Sequence, residues 1–227
     1  MNALKIYFAI VTFSTLLGCQ SIQYHKVEDR RLPELGAIGI FKEFTLQEVQ
    51  QTRTIVDLSK PIRIMGSPIL VSKRDFFRKK DSLAPKAKDS TLLRLKIMDS
   101  YSLVQRINED KKLVQFLKSG NDFRIITEVT MSYPAEILEK LNKADELYLI
   151  QQKEKTLSIQ LRENNKASGS LDFANGTIVD IRASEFCWGT PKGYKVVLMD
   201  LVPVGSNCSG RMYKSAEKAE RKADIRF

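Results

Sequence analysis

Between Leu157 and Arg162 the chain alternates without a break, with Leu157, Ile159 and Leu161 on one parity and Ser158, Gln160 and Arg162 on the other. Successive side chains of a β-strand point to opposite faces, so this pattern predicts a strand with one face buried and one wet. The same period returns at Leu93, Leu95 and Ile97, which alternate with Arg94 and Lys96. It returns again from Phe123 to Met131, with Phe123, Ile125, Val129 and Met131 on one side. One-sided strands of this kind belong to antiparallel sheets, because parallel sheets are covered on both faces. The fold class expected is α+β: a mostly antiparallel sheet with two or three helices packed on one side. Strand–helix–strand spacing around residues 93–152 also admits parallel crossovers, which would be right-handed.

Other elements follow from local signals. Short runs rich in β-branched residues occur at Ala37–Phe41, Thr54–Leu58, Ile62–Met65 and Ile69–Val71, interrupted by Pro61, Gly66 and Pro68. Thr45–Gln51 reads as one or two helical turns with Thr45 as N-cap. A helix is predicted over Glu109–Ser119, with Asn108 as N-cap, Leu113, Phe116 and Leu117 as its apolar stripe, and Gly120 just beyond its end. Pro134 opens a second helix at its first position, with Ile137, Leu138 and Leu141 facing inward. Strands at Glu146–Gln152 and Thr156–Arg162 pair across Lys153-Glu154-Lys155. Asn175-Gly176 predicts a type I′ hairpin between Leu171–Ala174 and Thr177–Phe186. Tyr194–Val204 is apolar on both faces and reads as a central strand, followed by a polar, helix-prone tail from Met212 to Phe227.

With 227 residues, 43% hydrophobic and 28% charged, the chain is neither a disordered tail nor a polytopic membrane protein. Its first residues do not belong to the domain. Met1–Lys5 is a short positive region, and Ile6–Leu17 is an apolar and small-residue run of 12. A bilayer-spanning helix needs about 20 such residues, whereas a secretory signal needs about 7–15. Next comes Leu16-Leu17-Gly18-Cys19, which resembles the lipobox of bacterial lipoproteins. The resemblance implies cleavage between Gly18 and Cys19, a diacylglycerol thioether on Cys19, and an acyl chain such as palmitate on the new amino group. Gln20 stands where aspartate would imply inner-membrane retention, so the resemblance implies the outer membrane. Two or more acyl chains give stable anchoring, where one gives only marginal binding. The expected organisation is a signal peptide over 1–18, an acylated stalk over 19–33 carrying His25, one periplasmic domain over 34–210, and a basic tail over 211–227.

Acylation of Cys19 leaves Cys187 and Cys208. An even number of cysteines in an oxidising compartment reads as a disulfide, and closing that loop stabilises a fold by about 3 kcal/mol in the chain-entropy model. No histidine or further cysteine lies nearby in the sequence to complete a zinc site or to activate a thiolate.

The chemistry left open is narrow. A single histidine, His25, removes most hydrolase triads and His-rich metal sites. There is no GxGxxG, no GxxxxGK[ST] and no GxSxG, so no metal or cofactor is expected. Asp180, Glu185 and Asp200 are the carboxylates a hydrolase would use; the competing reading sets them on wet strand faces or against Arg182 and Lys195. Trp188 and Tyr194 flank a Gly/Pro-rich turn beside Cys187, either as a binding tip or with Trp188 packed over the disulfide.

The balance of 37 Lys+Arg against 27 Asp+Glu gives +10. Within it, Lys73, Arg74, Phe76, Phe77, Arg78, Lys79 and Lys80 form a basic-aromatic stretch suited to anionic headgroups. The export signal makes lipid phosphates, lipopolysaccharide or cell-wall carboxylates the expected anions, and not nucleic acid. The function expected is therefore an outer-membrane-anchored, periplasm-facing lipoprotein that binds an envelope component or protein partner without catalysis. An envelope hydrolase using carboxylates, or an assembly subunit of a larger envelope complex, are the alternatives.

Overall fold

The computed structural model of the chain describes residues 34–41, 49–53, 58, 60–70, 91–153, 156–191 and 195–224. All lie in the second of two compact units, Arg31–Phe227. The described strands are β1 (Ile38–Phe41), β2 (Val49–Arg53), β3 (Ile62–Leu70), β4 (Thr91–Ile97), β5 (Phe123–Ser132), β6 (Glu146–Lys153), β7 (Thr156–Glu163), β8 (Lys166–Asp172), β9 (Thr177–Gly189) and β10 (Val197–Pro203). The described helices are α1 (Ser100–Glu109), α2 (Lys111–Lys118), α3 (Ala135–Lys143) and α4 (Ala216–Asp224).

The strands form one sheet in the order β10-β9-β5-β4-β3-β6-β7-β8, with β1 pairing with both β5 and β2. Every registered pairing is antiparallel. The mostly antiparallel α+β expectation stands, and the parallel crossovers around 93–152 do not occur: α1 and α2 return the chain to β5, antiparallel beside β4. The alternating residues are where their period puts them. Leu93, Leu95 and Ile97 of β4, Ile125, Val129 and Met131 of β5, and Leu157, Ile159 and Leu161 of β7 all join one core cluster. At about 25 cal/mol per Å² of apolar surface removed from water, each such side chain contributes about 1.5–3 kcal/mol.

Four helices are described where two or three were expected. The predicted Glu109–Ser119 helix is in fact the second of a pair broken at Asp110. Asp110 is extended (φ −82°, ψ 93°), and its Oδ1 accepts from the backbone N–H groups of Lys112 and Leu113. Asp110, rather than Asn108, is therefore the N-cap. In the same way Asp99 caps α1 through Ser102 N–H. Pro134 is the N-cap of α3 rather than its first helical residue.

Four further expectations are corrected. Residues 49–51 of the predicted helical turn are strand, within β2; residues 45–48 lie outside the described residues, as do 54–57 of the predicted Thr54–Leu58 strand. Gly66 and Pro68 do not split β3, which runs through both. Beyond Ile64 that strand has β4 as its only registered neighbour, so a proline lacking an N–H is tolerated there. Gly66 permits close packing, since a Cβ there would lie 2.9 Å from Leu147 Cδ1.

The Asn175-Gly176 hairpin is absent. Phe173–Asn175 is a 3-10 turn, Gly176 has an extended φ of −132°, and β8 pairs with β7, not β9. The two-residue turn with both φ positive lies instead at Asn164 (50°) and Asn165 (63°), between β7 and β8. Lastly, β10 is an edge strand, not a central one. Its outer flank is contacted by α1, and of its apolar residues Leu198 is buried while Met199 on the other face is 39% exposed.

Candidate functional site

One end of the sheet is stapled. Cys187 in β9 is bonded to Cys208, with Cα atoms 5.7 Å apart, as expected from the cysteine count. Trp188 beside it is 2% exposed, and its backbone N–H and C=O both bond to Tyr213. The Trp188 side chain is therefore inside the fold; Tyr194 lies outside the described residues. The tail docks on this end. Ala216, Ala219 and Ala223 form the buried stripe of α4, which packs on β9, while Glu217, Lys218, Glu220, Arg221 and Lys222 are exposed.

Asp180 lies apart from the other two candidate carboxylates, whereas Glu185, opposite Val202, and Asp200, opposite Cys187, are diagonal neighbours across the β9–β10 ladder. Asp180 is exposed on β9 opposite Thr130. Glu185 is five residues further along the same strand, roughly 17 Å away at the usual strand rise. Asp200 lies on β10 opposite Cys187, and its Oδ1 accepts from Leu201 N–H.

Glu185 is held by two cations: Lys214 Nζ at 2.6 Å from Oε2 and Arg124 Nη2 at 3.4 Å from Oε1. Burial pushes its carboxyl pKa up, but the Lys214 hydrogen bond and charge, Arg124 and the Gly205 N–H outweigh this and hold it below the ordinary value. An ionised, doubly paired carboxylate is poorly suited to act as a general acid. It borders a small depression of about 20 Å³, lined also by Leu117, Phe123, Trp188 and Lys214, with no second carboxylate. This lies below the size of organic-ligand pockets, about 300–1,000 Å³.

A second charged constellation crosses three adjacent strands. Glu128 of β5 lies opposite Lys96 of β4 and opposite Arg182 of β9; Arg94 lies opposite Thr130, one step along β5 from that row if side chains are compared face by face. Glu128 is 8% exposed. Its Oε1 is 3.1 Å from Arg94 Nε and 3.4 Å from Arg182 Nε. The Arg94 contact is short but not aligned as a hydrogen bond, so the attraction is Coulombic. Both guanidiniums reach solvent beyond it, with the Arg182 side chain 63% exposed.

Sequence reasoning named Arg94 and Lys96 only as wet positions of β4 and assigned Arg182 to the carboxylates of its own strand. The available signal was Glu128 itself, an acid set within the apolar run Ile125-Ile126-Thr127-Glu128-Val129.

Cys19 and the stretch containing Lys73, Arg74, Phe76, Phe77, Arg78, Lys79 and Lys80 lie outside the described residues. Among those described, no group of three or more His, Cys, Asp or Glu is placed to hold a metal ion, and no helix is long and apolar enough to cross a membrane. No protein-family model, no curated protein and no solved structure matches this chain.

Proposed function

We propose that the protein is a lipid-anchored binding module of the bacterial envelope, tethered through Cys19 to the outer membrane and facing the periplasm. The observation that carries the reading is the Cys187–Cys208 bond. Structural disulfides persist in oxidising compartments and are rare in the cytosol, which is the address that the Leu16-Leu17-Gly18-Cys19 lipobox independently implies. The folded part supports binding rather than turnover: Glu185 is neutralised by two cations, and the depression beside it is small. The module works on or beside the membrane that holds it, where anionic headgroups, lipopolysaccharide, cell wall and other envelope proteins are within reach.

The test is fractionation of cells expressing the full chain and its Cys19→Ser variant. The reading predicts that the wild type sediments with the outer membrane and resists salt extraction, while the variant accumulates uncleaved or leaves that fraction. A variant that matures and sediments like the wild type would remove the anchor from the account.

A further inference from the structure

We infer that Arg94, Arg182 and Lys96 form a binding site for a phosphoryl group, oriented by the buried carboxylate of Glu128. The inference rests on the reading that the domain binds rather than catalyses, and it names where and what it binds.

Three observations carry it. First, Glu128 engages both arginines through Nε. A guanidinium carries five N–H donors in a planar fork, so both arginines hold donors beyond the Nε contact, and among the described residues neither pairs with an acid other than Glu128. Second, both guanidiniums converge on one oxygen, Glu128 Oε1, which sets two planar forks side by side on the sheet face. Paired forks match the tetrahedral oxygens of a phosphoryl group better than separate point charges do. Third, the carboxylate that aligns the forks is held from both sides: it sits on β5 between β4, which is in continuous register with it, and β9, where Glu128 pairs with Arg182 between two register shifts, at Ile126/Glu128 and at Thr130/Met131.

Lys96, exposed and opposite Glu128, adds a third cation without an ion-pair partner among the described residues. Against the three cations stand Glu128 and the exposed Asp180, which lies opposite Thr130 on the far side from Arg94. The cluster therefore keeps one net positive charge. A purely structural ion network would need no excess cation and no exposed forks.

The experiment is NMR of the arginine Nε–Hε signals of the full chain in neutral detergent micelles. Sodium phosphate is titrated against sodium chloride at matched ionic strength, because unspecific screening follows ionic strength and not the identity of the anion. A second arm replaces phosphate with phosphatidylglycerol doped into the micelles.

Saturable shifts of the Arg94 and Arg182 signals with phosphate support a site open to free phosphoryl groups. Saturation with phosphatidylglycerol alone supports the same site with the lipid headgroup as its source. In either case Arg182→Gln should weaken binding about tenfold, the scale of one charge-assisted hydrogen bond, and Arg63→Gln should leave it unchanged, because Arg63 is paired with Glu146. Shifts that do not saturate in either arm, or equal affinity in Arg182→Gln, would overturn the inference. Loss of membrane attachment through Cys19 would leave these titrations unchanged, so the anchor and the site fail separately.

Discussion

Asn108 closes both outward-facing backbone groups of Leu198: its Oδ1 accepts from the Leu198 N–H at 3.0 Å, and its Nδ2 donates to the Leu198 carbonyl at 2.8 Å. Leu198 lies opposite Trp188 in the β10–β9 ladder, and Trp188 sends its own N–H and carbonyl to Tyr213. The pair is thus bonded outward on both sides, by a side chain at the sheet edge and by the tail beyond β9. An edge strand presents unpaired groups that invite pairing with another chain. Here the α1 side chain occupies that edge where it would otherwise be open.

Replacing Asn108 with Ala is therefore expected to destabilise the fold by about 2–4 kcal/mol, since two partly buried backbone groups lose their partners together. Urea unfolding measures this. The variant should also self-associate at concentrations where the wild type does not, which light scattering detects.

Loss of the staple has a separate cost. A Cys187→Ser, Cys208→Ser double variant should lose about 3 kcal/mol, the chain-entropy value for a loop of this length. The disulfide itself is checked by peptide mass mapping without reduction, where Cys187 and Cys208 should appear joined.

Acid should weaken the stapled end through Glu185. Its carboxyl is held below its ordinary value of 4.5 in the fold, so its stabilising contribution is fully present above that value. The contribution is lost as pH falls below 4.5 and through the lower folded value. Asp99, lowered by the hydroxyl and backbone N–H of Ser102, acts in the same sense from 3.8 downward. Unfolding midpoints compared between neutral pH and pH 3 should fall less for Lys214→Met than for the wild type, because that variant begins with less of the Glu185 stabilisation to lose.

The turn at Asn164-Asn165 gives a prediction about the backbone. Both residues have positive φ, a region that costs most side chains roughly 1–2 kcal/mol and that asparagine and glycine tolerate. Asn165→Gly should leave the melting temperature unchanged or raise it slightly, whereas Asn165→Val should lower it.

That turn also shows where the sequence was and was not legible. Period-two alternation placed β4, β5 and β7 and their inward faces, because burial on one face of a sheet is written into every second residue. Turn chemistry was ambiguous: Asn175-Gly176 carries the stronger local signal, yet the Asp172 and Asn175 side chains cap a 3-10 turn there, and a Cβ at Gly176 would meet the Tyr133 ring at 2.7 Å. That glycine serves close packing rather than a positive φ.

Wet faces were less legible still. Ser158 is 0% exposed although its parity is polar. Gln152 of β6 donates across to Ser170 of β8, spanning β7, which lies between them, so side chains on the face that alternation assigns to water reach over a neighbouring strand. Residues that meet only through strand register were not legible at all. Lys96, Glu128 and Arg182 belong to three strands, and nothing local to any one of them announces the other two.

The envelope assignment turns on Cys19, and mass measurement of the N-terminal peptide of the protein purified from its native membrane tests it directly. The account predicts a mature chain that starts at Cys19, with a diacylglyceryl thioether on its sulfur and an acyl group on its amino nitrogen. A chain that still starts at Met1, or one with an unmodified Cys19 thiol, would contradict it.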